Sequence, residues 1–298
     1  MSTLLSAAAT LTPEAIRRRV EALLPTVSKP ARYIGGEWGA RAKDWDAAKF
    51  RACLLYPDAY EIGMGNNGLQ ILYSILNDHP DYLAERQFTP WMDMEEAMRR
   101  ADVPLYGLES FHALSQFDFL GMTLSSELTY TNILTVLDLA GLPLRAADRG
   151  FPIVACGGTT VFNPRPIEPF FDFLFVGDGE EKILRIAAYF AAHREEIDAH
   201  RDDPEFKRKL LLGLKDLPGV YLPGYHTYRG EEAEGNKRAA RAFLLNFEKA
   251  PFPTKPVVPH LGEMQTRVML ELFRGCTQGC RFCQAGMIYR PYRERQLE

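Results

Sequence analysis

At 298 residues the chain has room for two domains. Its 35 basic and 39 acidic residues leave a net charge of −4, which gives no nucleic-acid footprint. No apolar run reaches the roughly 18 residues of a membrane span, so no membrane partner is expected. Met1 to Leu11 lacks a basic start and a long apolar stretch, so it makes a poor signal peptide.

Residues 13 to 25 (PEAIRRRVEALLP) follow Thr12 with helical spacing and predict a short amphipathic helix with a solvated arginine face. Residues 26 to 48 read as irregular, and residues 1 to 48 together as an N-terminal extension. Strand–helix alternation begins near residue 50. Strands are predicted at Arg51 to Tyr56, Phe117 to Leu124, Ile153 to Cys156 and Phe173 to Val176. Helices are predicted at Gly68 to Asn77, Trp91 to Ala101, Tyr130 to Ala140 and Gly179 to His193. This order predicts an α/β fold, a Rossmann-like parallel sheet with helices on both faces, over residues 49 to 193. Residues 194 to 260 read as a connector with a charged helix at Asp203 to Leu212, hairpin strands around Val220 to Arg229 and Ala239 to Phe247, and a proline-rich stretch from Pro251 to Pro259.

Five cysteines, three of them clustered, fit a reducing cytoplasm better than a disulfide framework. Cys53 and Cys156 lie in apolar runs and read as packed core thiols. The other three form Cys276-x3-Cys280-x2-Cys283, just after the apolar run Val268 to Phe273. Three thiolates on one loop can converge on one metal centre. A closed structural zinc site needs four ligands, so a zinc knuckle would need a distant fourth such as His260. An iron–sulfur cubane usually takes four cysteines, so three would leave one iron open.

This spacing, with Phe282 before the third cysteine, resembles the radical SAM superfamily. The resemblance implies a 4Fe–4S cluster on Cys276, Cys280 and Cys283, with Phe282 packed beside the cluster or S-adenosylmethionine. In that family the open iron binds S-adenosylmethionine, whose reductive cleavage starts radical chemistry. An electron donor such as flavodoxin or ferredoxin is then implied as a partner.

The loop after the first strand, Asp58-Ala59-Tyr60-Glu61-Ile62-Gly63, resembles the D-x-H-x-x-G of cobalamin-binding domains, with Tyr60 in the histidine's place. Ser126-Glu127-Leu128 and Gly157-Gly158 follow in that family's order. The resemblance implies a cobalamin groove walled by Asp58, Tyr60, Gly63, Ser126, Gly157 and Gly158. An inherited fold with an empty groove is the alternative. Asn163-Pro164-Arg165-Pro166 would help shape the groove. Gly177-Asp178-Gly179-Glu180-Glu181 reads as a helix cap or as a contact to a cofactor tail or a following barrel. Arg290, Arg293 and Arg295 read as salt-bridged, or as facing substrate.

The whole chain resembles a bacterial family of uncharacterised radical SAM proteins with an N-terminal cobalamin-binding-like domain. Residues Lys29 to Gly35, Tyr56 to Asp58, Glu61 to Met64, Glu127 to Asn132, Gly177 to Glu180 and Arg274 to Gly286 carry that likeness. Residues 261 to 298 would be the truncated start of a radical SAM (β/α) barrel. Only 15 residues follow Cys283, whereas a full barrel takes roughly 250, so the expectation is a fragment. Three functions follow: a radical SAM enzyme, such as a methyl or sulfur-group transferase; a non-catalytic cluster- or cobalamin-binding module; and a tRNA methylthiotransferase-like enzyme. Against the last, Cys53 and Cys156 are too few and too apolar in setting to hold a second cluster.

Overall fold

The computed structural model describes residues 11–262 and 269–296. Residues 1–10 of the N-terminal extension, and Val268 at the start of the run before the cysteines, lie outside the described residues. Six strands form one sheet: β1 (Phe50–Tyr56), β2 (Tyr82–Phe88), β3 (Phe119–Thr123), β4 (Ile153–Gly157), β5 (Phe173–Phe175) and β6 (Val220–Tyr221). Their spatial order is β2-β1-β3-β4-β5-β6. The first five are parallel and β6 runs antiparallel to β5. This is a doubly wound sheet whose strand order reverses between β1 and β3. Ligands on such sheets bind outside the carboxyl ends of the strands, near that reversal.

The strands are buried on both faces, which is why β1 and β4 read as continuous apolar runs. Helices α3 (Asn67–Asp78) and α6 (Glu180–Ala192) pack against each other over one face. There Phe50 of β1 stacks on Phe190 of α6, ring centroids 6.2 Å apart. Right-handed crossovers carry α4 (Met92–Ala101) and α5 (Tyr130–Leu139) to the opposite face. An ion pair of 2.5 Å between Arg99 and Asp138 links these two helices. Helix α1 (Pro13–Leu23), capped by the Thr12 hydroxyl, rests on the end of α4 through Arg19 and the Asp102 carbonyl at 3.0 Å. A single turn, α2 (Tyr60–Gly63), follows β1.

Strand β2 is the element that pattern alone does not predict. Its sequence, YLAERQF, places Glu85, Arg86 and Gln87 consecutively, and all three are buried. Tertiary partners satisfy them. Arg86 pairs with Glu37 at 2.8 Å and with Glu109 at 2.7 Å. Gln87 accepts from the Phe88 N–H at 2.7 Å and donates to the Tyr106 carbonyl. The Asn77 amide brackets the backbone of Ala84, at 2.9 and 3.1 Å. Among the described residues Glu85 has no cation of its own: one oxygen accepts from Ser110 N at 3.1 Å and the other has no partner.

The stretch expected as a connector is built into the domain. Helices α7 (Arg194–Ala199) and α8 (Pro204–Leu212) brace the amino ends of the strands. Arg194 and Arg201 reach Asp118 at 2.6 and 3.0 Å, and Lys207 reaches Asp172 at 2.5 Å. The expected hairpin does not form. Val220–Tyr221 instead extends the sheet beside β5, and Ala242 makes a parallel bridge to Gly177. The reason is local: Gly177 at φ 114° lies against Ala242, whose carbonyl oxygen would sit 2.0 Å from any Cβ there. Further on, Val257 is buried, its N–H and carbonyl bonded by the Gln70 amide at 3.1 and 3.3 Å.

The strand expected before the cysteines is shorter than predicted. Phe273–Arg274 (β7) pairs antiparallel with Arg293–Glu294 (β8), and the cysteines lie between them with one turn of helix, α9 (Ala285–Ile288). Among the described residues no helix is long and apolar enough to cross a membrane.

Burial, and then the neighbouring Glu109 charge, push the Glu85 carboxyl up to about 8. The fold therefore binds a proton that the unfolded chain releases near pH 4.3. This contribution is complete below that pH and is lost as pH rises through about 8. Glu85→Gln should flatten the dependence: melting temperatures from pH 5 to 9 should fall less steeply in the variant than in the wild type. Parallel curves would refute a protonated Glu85.

Candidate functional site

The loops at the carboxyl edge of the sheet follow β1, β3, β4 and β5. Thr159 Oγ1 donates to the Ser125 carbonyl at 2.9 Å and ties the third loop to the second. The Asn132 amide donates to the Pro57 carbonyl at 2.9 Å and ties the first loop to α5. Behind this edge lies a cavity of about 460 Å³ between the sheet, α3 and α6. Its floor is apolar and includes Leu54, Phe119, Ala155 and Phe173; its wall carries Ile71 and Ile183. Gly121, Ala155 and Gly157 on adjacent strands present almost no side chain, which leaves the space open.

Two of the residues expected to wall a cobalamin groove line this cavity, Gly157 and Gly158; Asp58, Tyr60, Gly63 and Ser126 do not. Tyr60 is turned into the core. Its phenol donates to Glu37 at 3.0 Å and accepts from the His260 N–H at 3.1 Å. Burial, and then the Glu37 charge, raise the phenol far above its ordinary range. A ring engaged this way does not face a ligand in the cavity. Gly63 is needed for packing, since a Cβ there would sit 2.3 Å from the Phe88 ring. Asp58 accepts from the Ala59 N–H at 2.7 Å, and Ser126 accepts from the Leu128 N–H at 3.2 Å; both shape their own turns.

The two glycines of the pair differ in kind. Gly158 has φ 112°, and a Cβ would meet the Leu124 carbonyl oxygen at 2.3 Å, so the protein's own backbone demands glycine. At Gly157 a Cβ would meet its nearest neighbour, the Phe175 carbonyl, at 3.6 Å. Nothing in the chain's packing requires glycine at 157, yet its missing side chain opens the cavity. Asn163 to Pro166 contribute nothing to the cavity wall, although the neighbouring Phe162 does.

The cavity's polar end is built by the acidic loop after β5 and by the cysteine ribbon. Asp178 Oδ1 takes Arg274 at 3.2 Å, and its Oδ2 takes Arg293 at 2.5 Å and the Leu244 N–H at 3.0 Å. Arg274 also pairs with Glu180 and, at 2.6 Å, with Glu271; Arg295 meets the other oxygen of Glu271 at 2.8 Å. The three guanidiniums surround the buried Phe247 ring at 4.7 to 5.6 Å. Burial alone would raise Asp178, but the Arg293 and Leu244 hydrogen bonds and the charges of Arg293 and Arg274 together outweigh it and hold the carboxyl below its ordinary value. Burial opposes the Arg274 charge, and the bonds from Glu271 and Glu180 overcome it, so its pKa is raised. The helix-cap reading of this loop gives way to its alternative: Gly179 precedes α6 with no side-chain cap, and Asp178 and Glu180 serve the cysteine ribbon. Arg293 and Arg295 are salt-bridged rather than free for substrate.

Two residues of the cavity wall each bury a polar atom without a partner among the described residues, Glu180 at Oε2 and Arg241 at Nε. Arg241 donates to the Arg290 carbonyl at 2.9 Å and has no acidic partner among the described residues. Gly121 and Arg241 escaped the sequence reading. Only Gly121 carried a signal, a glycine inside a strand, which marks close approach.

Cys276 and Cys283 are half-buried and Cys280 is exposed. A turn from Cys283 N–H to the Cys280 carbonyl at 3.1 Å brings the last two close in sequence and space. Among the described residues no three His, Cys, Asp or Glu side chains are grouped as a metal cage. The donor set, three reachable thiols on one short loop, fits a thiolate-held cluster, and metal binding itself would gather the thiols. His260 is not gathered to them; its Nε2 meets the Gly35 carbonyl at 2.9 Å. Phe282 is 92% exposed, not packed as a core side chain among the described residues. Cys53 and Cys156 are buried, and burial raises both thiols well above their ordinary range.

The chain is 24% identical over 247 residues to an uncharacterised protein of Methanocaldococcus jannaschii, covering 82% of this chain. It spans 43% of that relative's length. Among solved structures it is similar to the cobalamin-dependent S-adenosylmethionine radical enzyme OxsB, with a TM-score of 0.45 and 15% identity over 82% of this chain and 30% of that one. It is similar as well to the radical S-adenosylmethionine methyltransferase TsrM of Kitasatospora setae, with a TM-score of 0.43 and 13% identity over 83% of this chain and 43% of that one. The profile of the N-terminal region of radical SAM proteins matches residues 68–223, just over half of the chain and nearly all of its sheet, so the chain belongs to the radical SAM proteins through this N-terminal region.

Proposed function

We propose that this chain is the cofactor-holding part of a radical SAM enzyme, with Cys276, Cys280 and Cys283 as ligands of a 4Fe–4S cluster. The observation that carries this reading is three reachable thiols on one loop, in a chain of this family, with no fourth thiol on the loop. When bound, the cluster and S-adenosylmethionine supply one-electron cleavage chemistry. This chain's own residues hold the loop, through Arg274 and Arg293, and keep water from the apolar cavity behind it. A flavodoxin- or ferredoxin-like donor and a cytoplasmic setting belong to the same proposal, because exposed thiols and a reducible cluster need a reducing compartment.

We further propose that the cavity takes the nucleotide tail of a cobalamin. A flat apolar base suits the floor of Leu54, Phe119, Gly121 and Ala155, and an anionic phosphodiester suits the unpaired Arg241. Tyr60 takes no part, so the lower face of the cobalt would carry no ligand from this position. Cobalamin beside the cluster would favour methyl transfer to an unactivated carbon.

Anaerobic incubation with iron and sulfide should load about four of each per chain. Cys276→Ala, Cys280→Ala and Cys283→Ala should each abolish the charge-transfer absorption. Tight stoichiometric zinc without sulfide would overturn the cluster.

Titration with hydroxocobalamin should show saturable binding. Gly157→Leu, which fills the cavity without backbone strain, should weaken it by about tenfold or more, as should Arg241→Leu. Tyr60→Phe should leave the cobalt spectrum unchanged. Equal affinities for wild type and Gly157→Leu would place the cofactor elsewhere.

A further inference from the structure

Asp178 grips both strands of the cysteine ribbon at once. One oxygen takes Arg274, two residues before Cys276, and the other takes Arg293 on the returning strand. Glu180 adds a second bond to Arg274. Asp178, Glu180 and Arg293 are nearly inaccessible to solvent, so the contact is poorly screened by salt. The network is balanced, with three carboxylates (Asp178, Glu180, Glu271) against three guanidiniums (Arg274, Arg293, Arg295). Asp178 lies in the loop between β5 and α6 and Glu180 opens α6, so the base of the thiol loop is fastened to the rigid sheet and its helix.

Elsewhere the ribbon is tied by single bonds to backbone carbonyls, from Arg241 to Arg290 at 2.9 Å, from Arg293 to Leu244 at 3.0 Å and from Arg295 to Ala250 at 2.8 Å. Its two strands pair over only two residues each, and the loop between them exposes Cys280 and Phe282. Gathering three thiols from such a loop costs conformational entropy, and pinning both ends lowers that cost before metal arrives. Gly275 confines the turn further: at φ 99° a Cβ would lie 2.7 Å from the Tyr289 carbonyl oxygen.

We propose that Asp178 and Glu180 are positioning residues for the cluster loop, and that metal retention by the three thiols depends on their grip on Arg274 and Arg293. The inference rests on the cluster reading above, and two readouts separate it from that reading. The first is hydrogen exchange over residues 273–296 of the metal-free chain. Asp178→Asn keeps the shape and removes the charge, and Arg274→Lys loses the forked contact to three carboxylates. Both should speed exchange in this segment by about tenfold, with the sheet unchanged. Glu181→Gln, whose side chain pairs with Lys182 and not with the ribbon among the described residues, should behave as wild type.

The second readout is iron loss to a chelator after reconstitution with iron and sulfide. Removing partners behind metal ligands typically costs about 10- to 100-fold in affinity, so loss should accelerate by about tenfold or more in Asp178→Asn and Glu180→Gln. Asp178→Glu should recover part of the retention. Wild-type rates in both variants, or faster exchange with unchanged retention, would overturn the proposal. If wild type itself takes up no iron, the cluster reading fails; the coupling to retention then fails with it, while the exchange result still decides whether Asp178 holds the ribbon.

Discussion

One carboxylate, Asp178, joins the two parts of this molecule that matter for chemistry. Its two oxygens bridge Arg274 and Arg293, and through them the cysteine ribbon is seated on the end of β5. Without it, a two-residue ribbon would rest on its own short pairing, on Glu180 through Arg274, and on bonds from Arg241, Arg293 and Arg295 to backbone carbonyls. The cavity would lose its polar wall as well, because Arg274 and Gly275 close it at that end.

Buried charge is distributed with a clear asymmetry along the strands. At the amino edge, Asp118 and Asp172 are each held by two cations, and Asp172 also accepts from Val154 N at 2.7 Å. Both carboxylates are bonded through both oxygens, although Arg149 Nε has no partner among the described residues, and Arg194, Arg201 and Lys207 fasten the segment after β5 to the sheet. At the carboxyl edge, Glu180 and Arg241 keep unpartnered atoms on the wall of a cavity. A buried polar atom without a partner costs free energy, so this edge is less favourable than it could be by itself. A ligand that supplies the missing partners would recover that cost.

The edge strand β2 shows how an apolar pattern can fail while the fold succeeds. Glu85, Arg86 and Gln87 occupy a seven-residue parallel pairing with β1 because Glu37 and Glu109 arrive from distant segments to satisfy Arg86. Glu37 also accepts from Tyr60, so the residue that resembles a cobalt-facing position is drawn into this network instead. A motif position can be occupied by a side chain with a purely structural task, and only the partner's location tells the two apart.

The sequence alone determined the alternating α/β order, because parallel strands buried on both faces must be continuously apolar and their helices must be amphipathic. It also placed three thiols on one short loop, because three cysteines within eight residues need no fold to be near one another. What it left undecided were features set by residues far apart in the chain. Whether Asp178 caps a helix or grips a ribbon depends on where residues 274 and 293 return. Whether Gly157 or Gly158 leaves room for a ligand depends on the carbonyl of Leu124, more than thirty positions away. Whether Tyr60 faces a groove or the core depends on Glu37 and on the chain at 260. Local pattern encodes periodicity and composition; the partners of a charged or small residue are decided only when the sheet has brought distant segments together.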